Sequence, residues 1–436
     1  MKPNGLTLLS TAVASLGGLL FGFDTAVIAG ATHGMAVAFG LTPMTLGFTV
    51  SCALWGTVAG GFLASPLGSR YGSRLGLRVT ALLYLVSAAG CALAWNWFSL
   101  LAFRFIGGLG IGASSVLSPM YIAEISPSRW RGRLVACFQL SIVLGILVAY
   151  ASNFWISTFH LGSVEWRYEL GAAVVPTILF LSALVVIPDS PRWLLVKGRI
   201  QEAREIFRRI GQTDDAIEAL SLAQGASHPQ EVLFTRKHRR VILIALSVGI
   251  LNQLSGINAI LYYLNDIFVQ AGLSATSASR QAILIGGANL IFTILAMSLI
   301  DKIGRRFMLL AGSLGMGFCL LIIAAALAGK ARPSSLVWAL IAYIAFFCFS
   351  QGTVIWVYLS EIFPPGIREK GQSFGTLALW LTNGAIALVF PKVASISGQY
   401  PFILFAIMMF LQFVLALKFF PETKGISIEE ASARLV

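Results

Sequence analysis

Charge is what this chain has least of. Asp, Glu, Lys and Arg make up only 11% of its 436 residues, where a soluble protein carries about 25%. Acid is scarcer than base: 18 Asp and Glu stand against 31 Lys and Arg, a formal net charge of +13. A hydrophobic fraction of 57% and a mean hydropathy of +0.83 argue against a soluble fold. The five cysteines (Cys52, Cys91, Cys137, Cys319, Cys348) fall inside hydrophobic runs and do not pair by spacing, so they read as small core residues. The four histidines sit in loops or near the ends of runs, and no metal site is expected. No Asn-x-Ser/Thr acceptor occurs, so nothing points to a glycosylated surface. No nucleophile constellation and no phosphate-binding loop occur either; neither an enzyme nor an ATP-driven pump is expected, and no cofactor is implied. Alternation over segments of about ten residues is missing, which argues against an outer-membrane barrel.

What is abundant is the long apolar run. Runs near 20 residues recur along the whole chain, the length a helix needs to cross a hydrocarbon core of about 30 Å. Twelve spans are expected: 7–29, 45–67, 79–95, 98–122, 134–155, 169–187, 241–268, 279–300, 307–328, 335–360, 373–394 and 400–420. The first is too long and Gly-rich for the apolar stretch of a signal peptide. The fold class is therefore an all-α membrane protein.

The excess of base is not spread evenly. Arg70, Arg74 and Arg78 follow span 2, Arg129, Arg131 and Arg133 follow span 4, and ten Lys and Arg lie between Arg192 and Arg240 after span 6. Lys302, Arg305 and Arg306 follow span 8; Arg368 and Lys370 follow span 10. The opposite loops hold only Arg167, Arg280, Lys330, Arg332 and Lys392. This positive-inside bias puts both termini in the cytoplasm and identifies the bilayer, not nucleic acid, as the partner of the positive charge.

The chain repeats itself. Glu124 follows span 4 with Arg131 seven residues on, and Glu361 follows span 10 with Arg368 seven residues on. Ser69-Arg70-Tyr71-Gly72-Ser73-Arg74 after span 2 corresponds to Asp301-Lys302-Ile303-Gly304-Arg305-Arg306 after span 8. A duplicated six-helix unit follows: an N-terminal half over 1–187, a cytoplasmic helical linker over 188–240, a C-terminal half over 241–420 and a short tail over 421–436. Within the linker, Ile200, Ala203, Ile206, Phe207 and Ile210 recur at helical spacing, which predicts an amphipathic helix packed under the membrane domain. The Glu–Arg pairs are expected to make charge-assisted contacts that close the cytoplasmic side in one state.

Several strings together carry a family resemblance. They are Pro188-Asp189-Ser190-Pro191-Arg192-Trp193-Leu194 between the halves, Pro421-Glu422-Thr423-Lys424-Gly425 near the end, the stretch from Gly17 to Gly30, and Arg104-Phe105-Ile106-Gly107-Gly108. Ser118-Pro119-Met120-Tyr121-Ile122-Ala123-Glu124, Trp166-Arg167-Tyr168 and Gln253-Leu254-Ser255-Gly256-Ile257-Asn258 with Tyr262-Tyr263 complete the set. The chain resembles the sugar porter family of the major facilitator superfamily over nearly its whole length. The resemblance implies a monosaccharide transporter working by alternating access, with sugar and proton bound near the middle of the bundle and the two halves rocking around them. It also implies a cytoplasmic charge network of Glu124, Arg131, Asp189, Arg192, Asp301, Arg305, Glu361, Arg368 and Glu422.

Asp24 is the only carboxylate in the middle of a long apolar span, and Arg104 the only base deep in one. An ionised Asp there costs at least about 2.5–3.5 kcal/mol unless it faces the bundle interior and finds a partner. Asp24 lies about six residues before the outer end of span 1 and Arg104 about six after the outer end of span 4, so both sit roughly 9–10 Å below the outer surface. Desolvation favours the neutral acid and proximity to Arg104 favours the carboxylate. Helices that move apart would let Asp24 take a proton, and in the family an acid at this position is associated with proton coupling.

Sugar hydroxyls call for groups that both donate and accept. By match to the family's site these are Gln139, Asn252, Gln253, Asn258 and Asn289, with Phe21 and Trp356 as ring faces. Tyr262 and Tyr263 resemble outer-gate residues, and Gly352 marks the expected gating break of span 10. The chain departs from the family pattern in four places: Asn252 for Gln, Gly352-Thr353-Val354 without the Pro that usually follows the Gly, Leu379 for a polar amide, and Ser69 for the acid of the first loop motif. Ala173 stands where the xylose symporter has an acid. The reading is a sugar/proton symporter of a bacterial inner membrane, expected as a monomer. The alternatives are a uniporter in which Asp24–Arg104 is a structural pair, and a non-transporting sensor, which would be expected to carry a long signalling tail. The residues do not separate hexose, pentose and polyol.

Overall fold

A chain this apolar must pair its backbone polar groups within each segment, and the helix does so. The computed structural model describes residues 3–127, 129–211, 232–330 and 333–424. Among these residues every regular element is helical, and eleven helical segments are long and apolar enough to cross a membrane. The first five are α1 Gly5–Phe39, α2 Pro43–Tyr71, α3 Ser73–Ala92, α4 Trp97–Ile125 and α5 Arg131–Ser157. Each extends beyond the apolar run that predicted it, except that α3 starts and ends earlier than the expected 79–95. The capping box of Asn96 and Ser99 sets the start of α4: each side chain satisfies the other residue's backbone N–H.

The expected sixth span divides into α6 Glu165–Gly171 and α7 Val174–Ala183. Pro176 has no N–H to give to the preceding turn, so the helix restarts just before it, in the first turn where proline is tolerated. The expected seventh divides into α10 Arg239–Gln253, α11 Ile257–Tyr262 and α12 Leu264–Gln270, following α8 Pro191–Val196 and α9 Ile200–Arg209. Its first break lies at Gly256, whose φ of 87° is left-handed, and a side chain there would also run into the ring of Phe405. The remaining elements are α13 Ala275–Ile303, α14 Arg305–Leu327, α15 Pro333–Phe347, a π turn over Cys348–Gly352, α16 Thr353–Glu361, α17 Arg368–Ile396 and α18 Tyr400–Phe419.

The chain folds as two compact units, one of Met1–Gly34 with Cys52–Ser227 and one of Met35–Ser51 with His228–Val436. In the first, glycine lets backbones touch. Gly22 of α1 lies against the carbonyl of Ile142, and Gly145 of α5 against that of Leu19; a methyl on either would overlap its neighbour. Leu117, Tyr121, Ile122, Phe138 and Phe180 fill the core of this unit. In the second unit Val241, Ile244, Met308, Tyr358, Leu359 and Phe363 do so.

The internal repeat holds at the level of single hydrogen bonds. Gly72 (φ 90°, ψ 150°) and Gly304 (φ 105°, ψ 148°) make equivalent joints before α3 and α14. Two residues on, Arg74 donates to the carbonyls of Leu184 and Val185 at 3.4 and 2.8 Å, and Arg306 donates to those of Ala416 and Leu417 at 3.3 and 2.6 Å. The phenol of Tyr121 donates to the carbonyl of Pro188 at 2.8 Å, and that of Tyr358 to Pro421 at 3.0 Å. The helix expected between the halves is α9. Ala203, Phe207 and Ile210 bury against Leu194 and Leu6, and Asn4 donates to the carbonyl of Arg209 at 2.6 Å. Ile200, at its first position, is exposed.

Candidate functional site

In the first unit, α1 carries Asp24 and α4 carries Arg104. Arg104 Nη1 stands 3.4 Å from Asp24 Oδ1, longer than the roughly 2.7–2.9 Å of a tight charge-assisted hydrogen bond. The arginine side chain is 4% exposed and the aspartate 19%. Arg104 Nε is buried without a hydrogen-bond partner, so the guanidinium is incompletely satisfied. Beside the pair lies a cavity of about 10 Å³, lined by Tyr84, Ser87, Cys91 and Ala173 among others, the size of a single water. Tyr84 is tied back to Ser114 at 3.0 Å. The pair expected from equal depths is thus brought together, and it is loosely closed. Phe21, on α1, packs against the core of the same unit, and Gln139, on α5, is half-buried.

In the second unit, three of the expected sugar-binding amides form one directed chain. Asn258 Nδ2 donates to Gln253 Oε1 at 2.9 Å, and Gln253 Nε2 donates to Asn252 Oδ1 at 3.0 Å. The left-handed break at Gly256 lies between the two residues, and across it Asn258 meets Gln253. The phenol of Tyr343, on α15, donates to the carbonyl of Ser255 at 2.9 Å and so satisfies backbone that the break has freed. Asn289 is drawn elsewhere: its side-chain Oδ1 accepts from Cys348 Sγ at 3.1 Å and Thr293 Oγ1 at 3.5 Å. Trp356 on α16 is 44% exposed, and Leu379 is part of the apolar core.

Tyr262 and Tyr263 are buried, and α17 holds both. Asn383 Nδ2 donates to Tyr262 Oη at 3.1 Å, while Tyr263 Oη donates to the carbonyl of Ala387 at 2.9 Å and its ring stacks on Phe390. Span 10, lacking the family's proline, is interrupted by the π turn that ends at Gly352. Thr353 Oγ1 donates back to the carbonyl of Cys348 at 3.1 Å and so helps satisfy that turn.

The charge network differs from its expected pairing. Among the described residues no ion pair joins Glu124 to Arg131 or Glu361 to Arg368. Each acid closes a helix whose neighbouring arginine opens the next one, and the acid turns instead toward the glycine joint of its own unit. Glu124 accepts from Ser73 Oγ at 2.8 Å, and Glu361 accepts from Arg305 Nη2 at 3.1 Å and Thr423 Oγ1 at 2.6 Å. Asp189 pairs with Arg74 at 3.5 Å. Glu422 caps the start of α14, accepting from the N–H of Arg305 at 3.0 Å and of Arg306 at 3.1 Å. Arg192 lies between charges: burial and the nearby Arg131 lower its guanidinium pKa, and Glu124 opposes the shift. Arg368 Nε is buried without a hydrogen-bond partner. The side chain of Asp301 lies outside the described residues. Ser69, which replaces the family's acid, uses its carbonyl to accept from Trp193 Nε1 at 3.1 Å.

Sequence reasoning missed Tyr343, Asn383 and Glu169. The first two are polar tips in apolar spans, a signal present in the sequence. Glu169 falls at the very end of the expected span 6, yet it is only 3% exposed, so Asp24 is not the only carboxylate held inside. The four cysteines Cys52, Cys91, Cys319 and Cys348 are free and buried as expected, while Cys137 is half-buried.

Residues 10–435 match the family model described as sugar (and other) transporter. The chain is 34% identical over 473 residues to the D-xylose-proton symporter of Escherichia coli strain K12, covering 97% of this chain and 94% of that one. It is 35% identical over 437 residues to the arabinose-proton symporter of Bacillus subtilis strain 168, covering 98% and 94%. The inward-open structure of the xylose transporter XylE from E. coli superposes with a TM-score of 0.88 at 33% identity, covering 98% of this chain and 99% of that one. The repeated joints, the polar residues held inside apolar helices and this likeness over nearly the full length lead to one conclusion: the chain is a multi-pass integral membrane protein and belongs to the sugar porter family of the major facilitator superfamily.

Proposed function

We propose that this protein carries a monosaccharide into the cell together with a proton, by alternating access, and leaves the sugar chemically unchanged. The observation that supports this best is the Asp24–Arg104 pair at 3.4 Å. A buried acid needs either a cation or a proton. An arginine that is near, but not tightly engaged, leaves both options within reach of a small helix movement. The relatives named for xylose–proton and arabinose–proton symport favour a pentose as the sugar.

In this reading Asn252, Gln253 and Asn258 present the polar edge that orders sugar hydroxyls, with Gln139 and Asn289 as further amides and Phe21 and Trp356 as ring faces. Tyr262 and Tyr263 gate the outer side with Gly352 at the hinge of span 10. The charge network runs through Glu124, Arg131, Asp189 and Arg192 in one half and Asp301, Arg305, Glu361, Arg368 and Glu422 in the other, and holds the cytoplasmic side in one state. The protein works as a monomer in a bacterial inner membrane, both termini in the cytoplasm, with 188–240 as a cytoplasmic linker between halves 1–187 and 241–420.

The test is sugar-induced alkalinisation outside lightly buffered, de-energised cells expressing the protein, over a panel of hexoses, pentoses and polyols. Alkalinisation with one sugar identifies the substrate and establishes symport. Labelled sugar entering with no pH change overturns proton coupling and reduces Asp24–Arg104 to a structural pair.

A further inference from the structure

Glu169 lies on α6 and is 3% exposed. Its carboxylate is wedged between α1 and α5. It lies against the Cα of Gly30, where even a methyl group would overlap Oε1, and the amide of Asn153 lies against the same point, 2.6 Å from where that methyl would be. Gly30 is thus the gap that admits both polar groups. Asn153 is itself only 2% exposed. Its Nδ2 donates to the carbonyl of Val27 at 3.0 Å, which fixes the orientation of the amide, and its Oδ1 is then buried with no donor.

Glu169 is thus a buried carboxylate beside a neutral amide, and it lacks a counter-charge. The charged and titratable groups around Glu169 do not supply one. On its own helix, Glu165 adds a like charge. Arg167 turns away, donating to the carbonyl of Ala92 at 2.8 Å and lying over the ring of Trp166. On α1, His33 is exposed, and Asp24 is six residues and about 9 Å along the helix from Gly30. Arg104 of α4 is engaged with Asp24, Cys91 of α3 is a buried thiol, Asn153 of α5 is neutral, and Tyr150 one turn before it is a buried phenol. Among the described residues no cation forms an ion pair with Glu169. A proton on the carboxyl resolves this deficit, since no net charge then remains buried.

We infer that Glu169 is a second proton-binding site of the N-terminal unit, whose protonated form is the transport-competent one. The bond that forms is an O–H on Glu169, with the proton taken from water, and nothing is oxidised or reduced. The transport consequence rests on the symport reading, whereas the protonation itself does not.

Two readouts separate these. Infrared spectra of the full-length protein in lipid should show a protonated-carboxyl carbonyl band at neutral pH that Glu169→Gln removes and Asp24→Asn leaves in place. In exchange of labelled for unlabelled sugar, which needs no proton gradient, Glu169→Gln should extend activity to more alkaline pH. Wild type should fall about tenfold per pH unit once this single group titrates. Should Glu169→Gln fail to reach the membrane, Glu169→Met fills the same space and is read by the same band. A band that survives both substitutions overturns the inference, as does an alkaline limb of exchange identical in wild type and Glu169→Gln. Absence of proton-coupled uptake with the band still assigned to Glu169 overturns the symport reading alone.

Discussion

Arg104 and Asp24 meet at 3.4 Å with unequal exposure, the guanidinium closed off at 4% and the carboxylate open at 19%. The acid is the partner that water can reach, so it is the one able to exchange a proton while the arginine stays charged and fixed. Asp24→Asn keeps the shape and a hydrogen-bonding tip but cannot ionise. Sugar exchange across the membrane is expected to persist in this variant, and uphill accumulation to be lost. Counterflow and active uptake measured side by side check this; undiminished accumulation would remove Asp24 from the coupling step.

The directed amide chain gives a sharper substitution than truncation. Gln253 accepts from Asn258 and donates to Asn252. Gln253→Glu keeps the size and the acceptor but loses the donor, leaving Asn252 Oδ1 without a partner and adding buried charge. A cost of about 1–3 kcal/mol corresponds to roughly 5- to 150-fold weaker sugar binding. The half-saturating sugar concentration in exchange measures it. Asn258→Asp, at the donor end of the chain, is expected to weaken binding in the same direction.

Much of this architecture was legible in the sequence because bilayers impose length and apolarity on every span. The family strings mark the ends of the expected halves, and the break at Gly256 follows from the conformational freedom that glycine alone supplies there. Pairing was less legible. The seven-residue spacing from Glu124 to Arg131 and from Glu361 to Arg368 repeats faithfully, yet Glu361 bonds Arg305 instead. Spacing along a chain fixes position on a helix end, whereas the partner is set by which neighbouring helix packs there. Glu169 was hidden for a related reason: its burial comes from Gly30 on another helix, and no local pattern around Glu169 reports that.

Gly256 should tolerate no side chain. Its φ of 87° costs an L-residue about 1–3 kcal/mol, and a Cβ would also overlap Phe405. Gly256→Ala is expected to lower the thermal midpoint of the purified protein by several degrees and to abolish exchange, because Asn258 would no longer reach Gln253. Gly287→Ala in α13, where a Cβ meets nothing within 4 Å, serves as the control and should be neutral or slightly stabilising. Thermal melts of the two variants in the same detergent decide the matter.

Tyr121 and Tyr358 offer a test of the repeat itself. Each donates its phenol to a proline carbonyl, at 2.8 and 3.0 Å, just beyond the last span of its own unit. Each ring is fully buried. A proline N carries no hydrogen, so these short segments have few backbone bonds of their own, and the phenol is what ties them to the helix behind. Tyr121→Phe and Tyr358→Phe remove one hydrogen bond each and leave the rings in place, costing about 1 kcal/mol apiece. If the two halves are duplicated devices, the two losses should be alike, and in the double variant they should add, since no shared partner links the two sites. Thermal melts of the three proteins measure this. A loss confined to one tyrosine would mean that only that half depends on the bond.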